Sequence, residues 1–236
     1  VADGDYRKVE VKVTGDTTGI SYTIADRNGD MVAESKTGEF LIENPRLWQV
    51  KDSYLYTLTV RTATDLYREK FGIRKISFDD KRLYVNDKPV YLKGFGKHED
   101  FPVLGKASNS AVNVRDFELL KWTNANCFRT SHYPYSEEMM DLADEYGLLV
   151  VDEVPAVGCN NWPEYTYGEN RLDDITLSLH KNSLKLMYER DKNHPCLAMI
   201  SVANEAATYE DKARSYFSEV IGFVRSLTDL PITIVE

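Results

Sequence analysis

Four polar segments between residues 94 and 205 carry side chains that could do acid–base chemistry. The most distinctive contains Asn204 and Glu205, which directly follow an apolar run. A carboxyl group held at the end of a buried strand can stay protonated to higher pH than usual, which suits proton donation to a leaving group. Glu205 is therefore the leading candidate for an acid–base group. The other candidates are His98, Asp100, Arg129, His132, Asp152 and Glu153.

Each of these segments also has a purely structural explanation. His98 lies among charged residues, as surface histidines commonly do. Arg129 could form a structural ion pair with Glu205 or Asp152. Asp152 and Glu153 could cap a helix or a loop. At this point the residues alone leave catalysis and structure open.

Metal binding is a third alternative for the same segments. Four of the side chains could converge on an ion, but their spacing matches no known zinc or calcium motif. The residues in question are His98, Asp100, His132 and Glu153.

The elements that must position these side chains alternate in type from about residue 89 onward. Short apolar runs predict buried strands, and helical patterns separate them. This repetition predicts parallel strands joined by helices, with the polar segments at the carboxyl ends of the strands. A doubly wound sheet and a (β/α)8 barrel both fit, although neither nucleotide-binding glycine motif is present. The predicted strands are residues 90–95, 127–129, 148–151, 197–202 and 232–235.

Capping residues predict where two of the helices begin and end. Asn113 precedes apolar residues at helical spacing, so we predict it as an N-cap. Ser136 is predicted to cap the next helix, with acidic residues in its first turn, and Gly147 to end it. A long loop rich in aromatic residues follows over residues 154–171, and its aromatic side chains could stack on a sugar or simply pack together.

Residues 1–75 follow a different pattern, in which apolar and polar residues alternate. A period of two predicts strands with one face on a core, and six such strands indicate a β-sandwich. We therefore divide the chain into a sandwich domain (1–75) and an α/β domain (76–236).

Composition excludes several classes of protein. The net charge of −9 argues against binding to nucleic acid, which needs clustered basic residues. No apolar run is long enough to cross a membrane, and no signal peptide is visible. The three cysteines Cys127, Cys159 and Cys196 form no CxxC pair, so we predict reduced thiols and a cytoplasmic location.

Several stretches of the chain resemble motifs of glycoside hydrolase family 2, and most of all those of its β-glucuronidases. These stretches occur in the family's order and cover nearly the whole chain, which makes the resemblance specific. Some departures are present, including Ala206 where the family has proline. The stretches are GFGKHED at 94–100, ANCFRTSHYPYSEE at 125–138, VDEVPAVG at 151–158, DKNHP at 191–195, VANE at 202–205, and, in the sandwich, NPRLW at 44–48 and YLY at 54–56.

The resemblance implies an immunoglobulin-like β-sandwich, lacking its first strand, followed by the N-terminal part of a (β/α)8 TIM barrel. It implies retaining hydrolysis of terminal β-D-glucuronides, with Glu205 as the general acid/base. By the same resemblance, His98, Asp100 and Asn204 bind the sugar. The supporting residues would be Arg129, His132, Asp152 and Glu153.

The resemblance also carries expectations about what lies outside the chain. The nucleophilic glutamate would follow residue 236, which would make this chain an inactive internal fragment of a homo-oligomeric enzyme. A β-galactosidase-type hydrolase of the same family and a non-catalytic carbohydrate-binding fragment remain alternatives. Galactosidases of the family hold magnesium near the position of Glu153, but Val154 and Pro155 follow here. We therefore predict no metal and no cofactor.

Overall fold

A computed structural model describes residues 2–3, 6–158, 165–169 and 171–236. The N-terminal part is a sandwich of two antiparallel sheets with strand orders β1-β2-β5 and β4-β3-β6-β7. Its core contains Ile24, Phe40 and Ile42, which alternate with half-buried side chains in β3 and with exposed ones in β5. The strands are β1 (Ala2–Asp3), β2 (Tyr6–Glu10), β3 (Ser21–Ala25), β4 (Met31–Ser35), β5 (Glu39–Glu43), β6 (Tyr56–Arg61) and β7 (Leu66–Phe71).

The predicted sandwich is confirmed, but the predicted number of strands is wrong. The described residues of this part contain seven strands rather than six. The two-residue strand β1 pairs with β2, and it is too short to show any periodicity in the sequence.

A small antiparallel sheet separates the sandwich from the α/β part. It contains β8 (Ile76–Phe78), β9 (Leu83–Val85) and β10 (Lys88–Val90). Asn86 and Asp87 both have positive φ angles, 51° and 63°, as in a tight hairpin turn. This turn folds Val90 back onto Leu83, so the predicted strand 90–95 is wrong as a single strand.

The α/β part is a five-stranded parallel sheet whose strand order follows the chain order, β11-β12-β13-β14-β15. A doubly wound sheet would reverse its order at a switch point, so this order is that of a barrel. The strands are β11 (Gly94–Lys97), β12 (Cys127–Thr130), β13 (Leu149–Glu153), β14 (Leu197–Asn204) and β15 (Ile232–Val235), and the helices are α1 (Ser110–Trp122), α2 (Glu137–Tyr146), α3 (Asp174–Asp191) and α4 (Asp211–Leu227).

The helix boundaries confirm one capping prediction and correct the other. The Ser136 side chain accepts a hydrogen bond from the Met139 backbone N–H, and Gly147 ends α2 with a φ of 69°. The N-cap of α1 is Asn109, four residues before the predicted Asn113. Asn113 is buried inside α1 and donates a side-chain hydrogen bond to Glu138 Oε2 at 3.2 Å. The apolar residues at helical spacing begin only several residues into this helix. The start predicted from them was therefore too late.

The two cysteines in the described part of the chain are buried and form no disulfide bond. Cys127 and Cys196 are free and buried, and burial raises the pKa of Cys127 to about 11. Cys159 lies outside the described residues. No helix in the described part of the chain is long and apolar enough to cross a membrane.

Buried polar contacts join the sandwich to the amino-terminal end of the barrel strands. Trp48 is fully buried, and its indole N–H donates to the backbone oxygen of Asp144 at 2.8 Å. Arg74 donates to the backbone oxygens of Pro195 and Leu197. His194 Nδ1 lies 2.7 Å from Asp144 Oδ2. The catalytic candidates lie at the opposite end of the strands, so this junction is structural.

The His194–Asp144 contact makes stability depend on pH. Burial lowers the pKa of His194, but the hydrogen bond and the charge of Asp144 outweigh burial and raise the pKa. The stabilisation is therefore complete below the unfolded pKa of about 6.5 and is lost as pH rises through the higher folded value. We expect His194→Gln to lower the free energy of unfolding by about 1–3 kcal/mol near pH 6 and by less near pH 9.

Urea unfolding at the two pH values measures this difference. His98→Gln, which changes an exposed histidine, is the control and should show little change at either pH. An equal loss at both pH values in His194→Gln would contradict the role of the charged imidazole.

Candidate functional site

The carboxyl ends of the parallel strands bring three of the predicted residues into direct contact. Arg129 on β12 donates from Nη1 to Glu153 Oε2 at 2.7 Å and to Asn204 Oδ1 at 3.0 Å. These three residues come from three adjacent strands. They meet because side chains at the ends of parallel strands share one edge of the sheet.

Glu153 is the centre of this group. Its side chain is fully buried, and its carboxylate lies within hydrogen-bond distance of three side chains. Arg129 and Ser201 contact Oε2, and His132 Nδ1 lies 2.7 Å from Oε1. Ion pairs and hydrogen bonds of this kind are what a buried carboxylate requires. Glu153 therefore holds its neighbours in place and is closed to solvent.

Ser201 is a member of the site that the sequence analysis did not identify. Its hydroxyl donates to Glu153 Oε2 at 2.6 Å, and the side chain is fully buried. The available signal was a single hydroxyl residue inside the apolar run of β14.

Asn204, the last residue of β14, and Glu205, which follows it, lie in different environments. Asn204 is 5% exposed, and its side-chain oxygen is fixed by Arg129. The Glu205 side chain is exposed, and within the described part of the chain its carboxylate has no hydrogen bond to the other candidates. Its backbone has a φ of 50° and its N–H donates to Val235. The chain therefore turns sharply at Glu205 and presents the carboxylate to solvent beside a fixed amide.

The structure brings His98 to the edge of the group but leaves Asp100 apart. The His98 ring contacts the His132 ring edge-on, with the ring centres 5.3 Å apart. Asp100 is exposed, and its side chain makes no hydrogen bond to the other candidates in the described part of the chain. His98 therefore lies at the rim of the site.

Asp152 belongs to a different environment from its neighbour Glu153. Successive residues of a strand point to opposite faces, so Asp152 points away from Arg129. It is 1% exposed and accepts a hydrogen bond from Thr130 Oγ1 at 3.0 Å. Burial first, and then the nearby carboxyl of Asp191, raise its pKa well above the usual range. Asp152 therefore does not line the site.

The open face above the strands depends on glycine at position 96. A Cβ there would lie 3.0 Å from Ser131 Oγ and 3.4 Å from Arg129 Nη2. The same strand requires glycine at position 94, where a Cβ would meet the Cys127 backbone oxygen at 1.9 Å. Gly94 thus allows the strands to approach, whereas Gly96 leaves space for the guanidinium of Arg129.

The four residues that the sequence offered as metal ligands do not form a metal site in the structure. They are His98, Asp100, His132 and Glu153. Both oxygens of Glu153 are already engaged by Arg129, His132 and Ser201. In the described part of the chain, one other group has ligand atoms within 4.8 Å of one another, namely Asp144, His194 and Cys196. Both carboxylate oxygens of Asp144 already accept hydrogen bonds within that group.

The aromatic loop supplies packing rather than an open sugar-binding surface at Tyr167. This side chain is 2% exposed, and its hydroxyl donates to the backbone oxygen of Ala206. Tyr165 is 40% exposed. Trp162 lies outside the described residues.

Comparison with known proteins gives the same family over both parts of the chain. The family model described as "Glycosyl hydrolases family 2" matches residues 1–74, and "Glycosyl hydrolases family 2, TIM barrel domain" matches residues 76–235.

Named relatives extend this match. A β-glucuronidase of Paenibacillus borealis is 44% identical over 224 residues, which are 90% of this chain and 38% of that protein. The human β-glucuronidase is 38% identical over 81% of this chain and 30% of its own length. The structure of a β-D-glucuronidase of Dictyoglomus thermophilum matches with a TM-score of 0.94 and 43% identity, covering 100% of this chain and 42% of that one. The chain thus spans less than half the length of these relatives.

Proposed function

Because the chain belongs to glycosyl hydrolases family 2, we propose that the whole protein hydrolyses terminal β-D-glucuronides with retention of configuration. Relatives named β-glucuronidase, with identities of 36–44%, support this substrate class. The observation that carries the proposal is the exposed carboxylate of Glu205 beside the fixed amide of Asn204.

In this proposal Glu205 transfers protons at the scissile bond. It donates a proton to the leaving oxygen in the first step and takes one from water in the second. Asn204 is fixed through its oxygen by Arg129, which leaves its N–H groups available to the 2-hydroxyl of the sugar. A hydrogen bond there strengthens as positive charge develops on the ring.

The remaining candidates have binding and supporting roles in this proposal. His98 and Asp100 contact the sugar from the rim. Arg129, His132 and Glu153 form one buried group that orients Asn204. Asp152 supports this group from the other face of β13.

Retention needs a second carboxylate about 5–5.5 Å from the first, to act as the nucleophile. Glu153 does not suit this role, because both of its oxygens are already engaged by Arg129 and His132. By the family resemblance, we place the nucleophile in a part of the whole protein outside this chain.

The test uses the whole protein with an aryl β-glucuronide and an aryl β-galactoside. Turnover of the glucuronide, with little turnover of the galactoside, is the expected result. Turnover of the galactoside alone would replace the proposal by the galactosidase alternative. Binding of either sugar without turnover would indicate a non-catalytic carbohydrate-binding protein.

Association of the whole protein into a homo-oligomer is a further part of the proposal. The outer side of α3 exposes Ile175, Leu179 and Leu186, each more than 60% accessible, at helical spacing. Exposed apolar stripes of this kind commonly mark contacts between chains. Sedimentation of the whole protein as a monomer would contradict this.

Gly96→Ala tests whether crowding beside Ser131 and Arg129 matters for turnover. The added Cβ would lie 3.0 Å from Ser131 Oγ, which must shift by a few tenths of an ångström, and would contact Arg129 Nη2 at 3.4 Å, so we expect kcat for the glucuronide to fall by up to about tenfold. Gly222→Ala in α4 is the matched control, because no atom lies within 4 Å of its Cβ. It should leave kcat unchanged and stabilise the helix by about 1 kcal/mol. Unchanged kcat in Gly96→Ala would show that turnover does not depend on the open space at position 96.

A further inference from the structure

Behind the candidate site, the outward face of the barrel strands carries a second buried polar group. We call it the carboxyl pair, meaning Asp152 on β13 and Asp191 at the end of α3. Asp152 is 1% exposed and Asp191 is fully buried. Two carboxyl groups in one apolar environment need a physical explanation, because burying an unpaired charge is costly.

The direction of the hydrogen bonds at Thr130 can be deduced. The backbone N–H of Glu153 donates to Thr130 Oγ1 at 2.8 Å, so this oxygen acts there as an acceptor. The hydroxyl proton is then available to Asp152 Oδ1, which lies 3.0 Å away. Asp152 Oδ1 is therefore the acceptor of the Thr130 proton.

The second oxygen of Asp152 has no protein donor. Oδ2 is buried without a donor in the described part of the chain. The carboxyl of Asp152 interacts with that of Asp191 through a side-chain hydrogen bond. The two oxygens of Asp191 each accept a hydrogen bond from Arg190 at 2.7 Å. Two carboxylates can share a hydrogen bond only if one of them is protonated.

The charges around Asp152 also require that one of the two carboxyls is protonated. Asp191 and Arg190 of α3 are the charged groups that act on Asp152, and the Cys196 thiol lies nearby. His194 acts on Asp191 but is already paired with Asp144. With both carboxyls ionised, Arg190 would leave one negative charge uncompensated in a buried environment. One proton on the pair removes that charge.

The pair lies where the backbone ladder between β12 and β13 ends. The last paired residues are Arg129 and Val151. Beyond them, the N–H of Glu153 donates to the Thr130 side chain instead of to a backbone oxygen. The hydroxyl of Thr130 thus takes the place of a backbone oxygen as the acceptor for the N–H of Glu153. Glu153 is the residue that contacts Arg129 and His132.

We propose that Asp152 carries a proton, which it donates to Asp191, and that this neutral carboxyl positions Glu153 through Thr130. Asp152 is thus a positioning residue, whereas Asp191 with Arg190 anchors it to α3. Its effect on turnover rests on the proposed function, but its protonation does not.

Urea unfolding of the whole protein tests the proton without any assay of activity. Asp152 is ionised in the unfolded state above a pKa of about 3.9. Protonation in the folded state therefore favours folding at low pH, and this advantage is lost as pH rises towards the folded pKa. We expect the folding equilibrium constant of the wild type, relative to Asp152→Asn and measured from pH 4 to pH 7, to fall as pH rises, by up to about tenfold per pH unit until the pH reaches the folded pKa.

A constant ratio over this range would show that Asp152 is ionised when folded, and would overturn the proposal. Asp80→Asn is the matched control, since it removes an exposed carboxyl. The ratio of wild type to this variant should show no such slope.

Kinetics with the aryl glucuronide then tests the positioning role. Asparagine keeps both hydrogen bonds, with its oxygen accepting from Thr130 and its N–H donating to Asp191. We expect kcat of Asp152→Asn to stay within about threefold of the wild type, and kcat of Asp152→Ala to fall about 10- to 100-fold with little change in KM. Equal losses in the two variants would overturn the positioning role. If the whole protein hydrolyses no glucuronide, the proposed function fails and the unfolding test still decides the protonation.

Discussion

In the whole protein, Glu205→Gln lowers kcat/KM for an alkyl β-glucuronide by about 10²- to 10⁴-fold, which is the usual contribution of a general acid. The substitution keeps the size of the side chain and removes the proton-transfer group. Glu205 has no hydrogen bond to the other candidates in the described residues, so the fold should tolerate the change. We therefore expect a large loss of turnover with a nearly unchanged unfolding midpoint.

The leaving group distinguishes an acid from a residue that only shapes the site. A dinitrophenolate leaves without protonation, so the first step with a dinitrophenyl glucuronide should be almost insensitive to Glu205→Gln. Water attack in the second step still needs a base, and added azide should restore it because azide needs none. Glu34→Gln, an exposed change in the sandwich, is the control. Equal losses for alkyl and dinitrophenyl glucuronides would contradict the acid role.

Residues at strand ends were the part of the site that the sequence could predict. Parallel strands share an edge, so the segments at the strand ends were expected to meet, and Arg129, Glu153 and Asn204 do. The predicted partner of Arg129 was wrong, since Arg129 pairs with Glu153 rather than with Glu205 or Asp152. Local signals also predicted the start and end of α2, because Ser136 and Gly147 act within a single turn of chain. Predictions of this kind succeed where the determining interactions are local or follow from strand order.

Other features depend on interactions that no local pattern encodes. The direction of Asp152, away from Glu153, follows only from which face of β13 meets the barrel interior. Ser201 contributes one hydroxyl to a carboxylate 48 residues away. The positive φ of Glu205 depends on the backbone bond to Val235, in the next strand. These contacts link distant segments, so the sequence alone did not reveal them.

Removing the cation that pairs with Glu153 should have the largest effect on stability. The Glu153 side chain is fully buried and Arg129 is its 2.7 Å partner. In Arg129→Met the carboxylate keeps only His132 and Ser201, and a buried charge without its partner typically costs about 3–5 kcal/mol. We therefore expect a fall of that size in the free energy of unfolding, measured in urea at neutral pH.

An exposed ion pair supplies the comparison that separates burial from charge. Lys8 and Glu39 form a bridge of 3.2 Å, with side chains 55% and 60% exposed. Lys8→Met also removes one cation, but water screens the remaining carboxylate, so it should cost at most about 1 kcal/mol. Similar costs in the two variants would mean that Glu153 does not carry a buried charge. In the double variant Arg129→Met with Glu153→Gln the charge is gone as well, and much of the lost stability should return. Turnover should stay low in that variant because Asn204 has lost the guanidinium that orients it.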